Sequence, residues 1–164
     1  AYYEKMKMLR NYGSSKKYIH DELGYNNRMD EIQAAVINIK LKHINKWNKE
    51  RRRIANNYLD ELKNITEISL PAVSKDVSPV WHLFVIQIEN RIELQEYLLK
   101  HNIQTLIHYP IPPHLQKVYD YLGYKKGSFI KSEEIAKSVL SLPIYPGLSE
   151  SKQGFIIEKI KEFY

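Results

Sequence analysis

The chain has 164 residues, 43% of them hydrophobic and 27% charged, with a formal net charge of +6. That length suits one core or two small subdomains, and the composition is that of a folded protein. Cysteine is absent, which excludes disulfide stapling, thiolate catalysis and thiolate metal sites; no apolar run approaches the roughly 20 residues of a membrane span.

Ala1-Tyr2-Tyr3-Glu4-Lys5 reads like the middle of a helix, so a piece of a longer protein is expected. Tyr3 to Arg10 is predicted helical, with Met6 and Leu9 on one face, closing at Asn11-Tyr12-Gly13. A polar connection then runs to Gly24. The stretch Gly24-Tyr25-Asn26-Asn27-Arg28-Met29-Asp30-Glu31 is a polar turn entering a helix. It sets backbone N–H groups, an amide and a guanidinium together, a combination that holds a phosphate or carboxylate. A helix cap followed by solvated charge would use the same residues. From Met29 apolar residues recur at Ile32, Val36, Ile39, Ile44, Trp47, Ile54, Tyr58 and Leu62. They predict one helix of about nine turns and roughly 50 Å. So small a domain cannot cover such a helix, so sharing with another domain or subunit is expected. Its run Lys49, Arg51, Arg52 and Arg53 is expected on a solvated face.

Asn64 to Pro79 reads as a connector, and Val80 to Ile88 as a buried strand rich in aromatic and branched residues. Arg91 to His101 is predicted helical with Leu94, Leu98 and Leu99 inward, followed by a second strand from Ile103 to Ile107. Tyr109-Pro110-Ile111-Pro112-Pro113 must be a stiff loop. Short helices are expected at Leu115 to Leu122 and Ser132 to Val139, and a short edge strand at Ser141 to Ile144. Ser149 to Phe163 closes the chain as a helix with Phe155, Ile156 and Ile160 inward. The order gives an α/β fold of α+β character, with helices on one face of a small sheet.

His108 and His114 flank the proline-rich loop, with Tyr109 beside the first. Two histidines without a carboxylate in the loop make a poor metal site. Polar aromatic groups on a rigid loop suit a sugar or phosphate, or simply pack the loop. His20 reads as a capping or solvated residue, and His82 as either a core or a site histidine. Trp81 reads as core.

Five stretches in order carry a resemblance: Leu9-Arg10-Asn11-Tyr12-Gly13; Gly24 to Ala35; Trp81-His82-Leu83-Phe84-Val85; Ile107 to Gln116; and Leu140-Ser141-Leu142-Pro143-Ile144-Tyr145-Pro146. Together, across nearly the whole chain, they resemble the carboxy-terminal part of the pyridoxal-phosphate-dependent sugar-nucleotide aminotransferases of the DegT type. The resemblance implies a fold type I transaminase, homodimeric, with active sites built from both subunits. Residues 1–28 would be a remnant and linker of the large cofactor-binding domain, 29–62 an interdomain and interface helix, and 63–164 the small α/β domain. The asparagine matching Asn26 would reach the cofactor phosphate in the partner's site, and Arg28 would lie close enough to assist. His108, Tyr109 and His114 would lie near the nucleotide-sugar pocket.

In that family the lysine that carries the cofactor, the aspartate on its pyridine nitrogen and the stacking aromatic residue all come earlier in sequence than the matching stretches. No lysine here stands in a matching context, so no catalytic residue is assigned and the isolated chain is expected to be inactive, without stable cofactor binding. The parent is expected to convert a nucleotide-linked keto-deoxysugar, most resembling thymidine-diphosphate forms, to the aminosugar. Glutamate is the expected donor and the cytoplasm the expected setting, with neither nucleic acid nor membrane as partner. Two other readings use the same residues: a non-catalytic basic module that binds nucleic acid or protein through Lys49 to Arg53, and a sugar-nucleotide sensor that has lost catalysis.

Overall fold

The computed structural model describes all 164 residues, which divide into two units, Ala1–Asn45 and Lys46–Tyr164. The first contains helix α1 (Tyr2–Leu9), a small antiparallel pair β1 (Ser14–Lys16) and β2 (Ile19–His20), and helix α2 (Glu31–Leu41). Backbone hydrogen bonds rather than side-chain packing hold its turn together. Tyr12 N–H donates to the Tyr25 carbonyl at 2.9 Å, Tyr25 N–H to Leu9 at 2.7 Å, and Asn27 N–H to Arg10 at 2.9 Å. The crossing demands glycine. A Cβ on Gly13 (φ +70°) would lie 1.7 Å from the Glu22 carbonyl oxygen, and one on Gly24 would lie 1.9 Å from Gly13 N.

The helix expected from Met29 to Leu62 is two helices. Asp30 caps α2: its carboxylate accepts from Ile32 N–H at 2.8 Å, and Gln33 Oε1 accepts from Asp30 N–H at 3.1 Å. This is a capping box. After Leu41 the amides of Lys42 and His43 reach back three residues, to Ile39 and Lys40, which tightens and ends the helix. Helix α3 (Ile44–Leu62) then restarts. The cause is a phase slip: five residues separate Ile39 from Ile44, an advance about 140° beyond a full turn. Met6 of α1 is exposed, and so are Ile32, Val36 and Ile39 of α2.

Most of α3 belongs to the second unit, with β3 (Phe84–Gln87), α4 (Arg91–Lys100), α5 (Ile130–Ser138), β4 (Val139–Leu142) and α6 (Glu150–Phe163). The segment expected as one helix from Leu115 to Leu122 forms two 3-10 stretches, Pro113–Leu115 and Lys117–Leu122. Strands β3 and β4 pair antiparallel from Phe84↔Leu142 to Gln87↔Val139. Single bridges extend the sheet on both sides, Ser69↔Gln87 and Leu106↔Ser141. Hence β4 is not an edge strand: all four residues are buried, and Pro143 lies just past the ladder. The strand expected at Ile103 to Ile107 reduces to that one bridge.

Strand β3 is shorter than the run Val80 to Ile88 because Trp81 adopts φ 54°. One guanidinium nitrogen of Arg51 takes the carbonyls of Trp81, His82 and Ile144 at 3.1, 3.1 and 3.2 Å. Arg53 bonds Glu150 and the Leu148 carbonyl, and Glu50 accepts from Gly147 N–H. Arg51 is thus built into the fold, while Lys49 and Arg53 stay exposed, as a solvated face would have them.

The core joins Ile54, Tyr58 and Leu62 of α3 to Phe84 and Ile86 of β3, Leu94 and Leu98 of α4, Leu140 of β4 and Ile160 of α6. Tyr58 stacks on Phe84 with centroids 5.1 Å apart and donates its hydroxyl to the Pro143 carbonyl at 3.0 Å. Burial pushes its phenol well above the ordinary range. Trp81 packs at the core margin, 5.4 Å from Phe84, while His82 is exposed. Leu99 and Phe155, expected inward, are exposed; Ile157 is buried in α6 instead. No helix is long and apolar enough to cross a membrane.

Candidate functional site

In the first unit the fold brings the stretch that carries Asn26 and Arg28 against Leu9–Gly13. Asn11 and Asn26 form an antiparallel bridge, so Leu9-Arg10-Asn11-Tyr12-Gly13 lies beside Gly24 to Arg28. Asn26 is exposed. Arg28 joins Lys7, Arg10, Lys16 and Lys17 around a cleft of about 530 Å³, with Glu4 also in its wall. Such a cation excess around an open cleft suits a phosphorylated ligand. The helix start contributes less than the sequence led us to expect, since Asp30 already occupies the first-turn amide of Ile32. An anion would be held by side chains here. His20 Nδ1 lies 2.9 Å from the Tyr12 carbonyl and so braces the turn.

The second unit holds His108, Tyr109 and His114. Leu106 and Ser141 exchange backbone hydrogen bonds at 3.3 and 2.7 Å. Ser141 Oγ then lies 2.8 Å from His108 Nδ1, fixing the histidine ring against β4. The Tyr109 ring stands edge-on to His108 at 5.4 Å and is 69% exposed. Beyond the prolines, His114 Nε2 lies 2.9 Å from Glu133 Oε1, and the two side chains are only 8% and 10% exposed. The His114 hydrogen bond, then the backbone donors of Gly127 and Phe129, hold the Glu133 carboxyl below its usual range against the opposing effect of burial. Of the three predicted residues, Tyr109 is thus the open one, His108 is braced and His114 is committed. The two histidines turn to different partners, and no cluster of three or more His, Asp or Glu side chains could hold a metal.

Ser141, Glu133 and the cleft cations beside Arg28 went unnoticed in the sequence. Ser141 sits in a run that reads as core, and Glu133 as an ordinary first-turn helix carboxylate. A polar residue inside the apolar run Leu140-Ser141-Leu142 was the one available signal.

The geometry has relatives. Erythromycin biosynthesis sensory transduction protein EryC1 of Saccharopolyspora erythraea is 46% identical over 158 residues, covering 96% of this chain and 43% of that protein. The dTDP-3-amino-3,6-dideoxy-alpha-D-galactopyranose transaminase of Aneurinibacillus thermoaerophilus is 46% identical over 160 residues, covering 98% of this chain and 43% of its own. The crystal structure of DesV from S. venezuelae in complex with a ketimine intermediate superposes with TM-score 0.93 at 43% identity, over 98% of this chain and 43% of that one. The chain therefore spans less than half the length of these proteins, a share that fits a carboxy-terminal portion, and its α/β fold is that of the matching part of a sugar aminotransferase. The sequence profile of the DegT/DnrJ/EryC1/StrS aminotransferase family matches residues 1–161, and the chain belongs to that family.

Proposed function

We propose that this chain is the carboxy-terminal part of a pyridoxal-phosphate-dependent aminotransferase that converts a nucleotide-linked keto-deoxysugar to the aminosugar, with glutamate as donor. The observation that carries the reading is the pairing of Leu9–Gly13 with Gly24–Arg28, which bridges Asn26 to Asn11 in the wall of a cationic cleft that Arg28 also lines. The donor set fits the cofactor's phosphate: a neutral amide gives hydrogen bonds without adding a charge to desolvate, and a guanidinium adds a bidentate cation. When bound, the cofactor supplies the electron sink through which the amino group is exchanged.

What this chain contributes is binding and orientation. Asn26 donates to the cofactor phosphate in a homodimeric partner's site, and Arg28 anchors phosphate or substrate nearby. His108, Tyr109 and His114 serve the sugar nucleotide. Residues 1–28 act as the linker of the large domain, the helical stretch 29–62 as interdomain and interface structure, and 63–164 as the small domain. None of the lysines here is assigned to carry the cofactor, because none stands in a matching sequence context, and Lys159 is further disfavoured. Glu162 at 2.6 Å raises its pKa, the opposite of what a nucleophilic amine requires. Alone, the chain is inactive; the enzyme works in the cytoplasm. A second reading, a sensor of sugar nucleotides, draws on the name of the EryC1 relative. The basic nucleic-acid module loses ground because Arg51 is committed to three carbonyls within the fold.

Asn26→Ala in the full-length protein tests the reading. Each lost hydrogen bond to a charged phosphate should weaken cofactor binding by about 1.5–3 kcal/mol, with circular dichroism unchanged. Cofactor affinity equal to that of the parent would remove Asn26 from the site.

A further inference from the structure

Every residue from Gln116 to Ser132 is exposed. Among them Val118, Tyr119, Tyr121, Leu122, Tyr124 and Phe129 are large and apolar. A strap of this kind has no core of its own to fix it. One of its points and the loop residue just before it nevertheless converge on one atom: Glu133 Oε1 accepts from Gly127 N–H at 2.8 Å and lies 2.9 Å from His114 Nε2. The Phe129 ring closes over His114 edge-on at 4.9 Å, and Tyr124 over Phe129 at 5.0 Å. With both side chains near 10% exposure, this contact is far more constraining than a solvated ion pair.

The contact has a direction. Glu133 lies in the first turn of α5, which packs on β3 and so on the core. His114 directly follows Pro112 and Pro113, so fixing its ring fixes the far end of the proline loop. The near end is fixed by His108 on Ser141. Between these two anchors stands exposed Tyr109.

We propose that Glu133 is a positioning residue for the sugar-nucleotide loop, holding His114 and Gly127 together so that Tyr109 and His108 meet the substrate in one arrangement. His114 then serves the keto-sugar half-reaction through the loop, its Nε2 being spent on Glu133. This rests on the reading above that His108 and Tyr109 face the sugar nucleotide.

The test uses the full-length enzyme, with each half-reaction followed separately in single turnovers. Glu133→Ala should raise the apparent KM for a thymidine-diphosphate keto-deoxysugar by about tenfold to a hundredfold, since small displacements of a binding group carry losses of that order. It should leave the glutamate half-reaction within about twofold of the parent rate. Glu133→Gln, whose amide oxygen still accepts from Gly127 N–H and from a protonated His114 Nε2, should restore most of the affinity. Amide exchange at Gly127 should quicken in the alanine variant and recover with glutamine. From the other side, His114→Gln keeps a donor to Glu133 and should recover most of what His114→Ala loses. This pair keeps the test open should Glu133→Ala fail to fold. An unchanged KM in Glu133→Ala, equal slowing of both half-reactions, or His114→Gln as impaired as His114→Ala would each overturn the proposal. If His108→Ala and Tyr109→Ala leave the keto-sugar KM unchanged, the underlying reading fails instead.

Discussion

The two units of this protein solve different problems. Residues 46–164 bury what their periodicity gathers: Ile54, Tyr58, Phe84, Leu98, Leu140 and Ile160 have no exposure at all. Residues 1–45 bury only Gly13. There the shape comes from backbone hydrogen bonds between chain segments that cross at a distance glycine alone permits. Meanwhile α2 presents Ile32, Val36, Ile37, Ile39 and Leu41 unburied. An apolar period states that a surface favours cover; it does not say what covers it. In the second unit the residues at stake are packing residues. In the first they are turn residues that bridge Asn26 to Asn11 and bring Arg28 to the cleft.

The largest effect should come from the packed unit. Phe84→Ala removes a fully buried ring in contact with Tyr58 and Trp81, and should cost about 3–5 kcal/mol in denaturant unfolding. A loss below about 1 kcal/mol would mean that the core can collapse around the gap, and the contrast between units would weaken. In the first unit the sensitive atom is not a side chain. Gly24→Ala places a Cβ 1.9 Å from Gly13 N, and relief requires backbone movement costing about 1–3 kcal/mol. Amide exchange should quicken at Tyr12, Tyr25 and Asn27, whose N–H groups close the turn, while the unfolding midpoint of the second unit stays put. Unchanged exchange at those three amides would show that glycine is not what the crossing requires.

Much of this was legible in sequence where local chemistry decides structure. The inward spacing Ile54, Tyr58 and Leu62 predicts the buried stripe of α3, and Ser149 caps α6 through Lys152 N–H as a residue of that type should. The stretches Leu9–Gly13 and Gly24–Arg28 and the two histidines flanking the proline loop stand out in sequence, but their pairing and the partners of the histidines do not. What stayed hidden depends on distant partners. Trp81 leaves the extended region where Arg51, thirty residues earlier, takes two successive carbonyls. Strand β4 becomes central only because Leu106 arrives on its far side. The commitment of His114 to Glu133 crosses a loop with no period to report it. The break after Leu41 was readable as a phase slip between Ile39 and Ile44, but the longer apolar pattern masked it.

The smallest expected effect is also the sharpest statement of the contrast. Ile32 is 76% exposed on α2, so Ile32→Ala removes little packing within these 164 residues. Alanine is also the better helix former. The substitution should shift the stability of this chain by no more than about 0.5 kcal/mol. In the full-length protein, where the proposed large domain or second subunit covers α2, the same change truncates a buried isoleucine and should cost about 2–5 kcal/mol. Parallel denaturation of both lengths separates the possibilities. A large loss in the short chain would place Ile32 in a packed environment that its exposure denies. Silence in both lengths would leave α2 uncovered and remove it from the interface. Only silence in the short form with a loss in the long one fits a helix whose apolar residues await a partner from outside the chain.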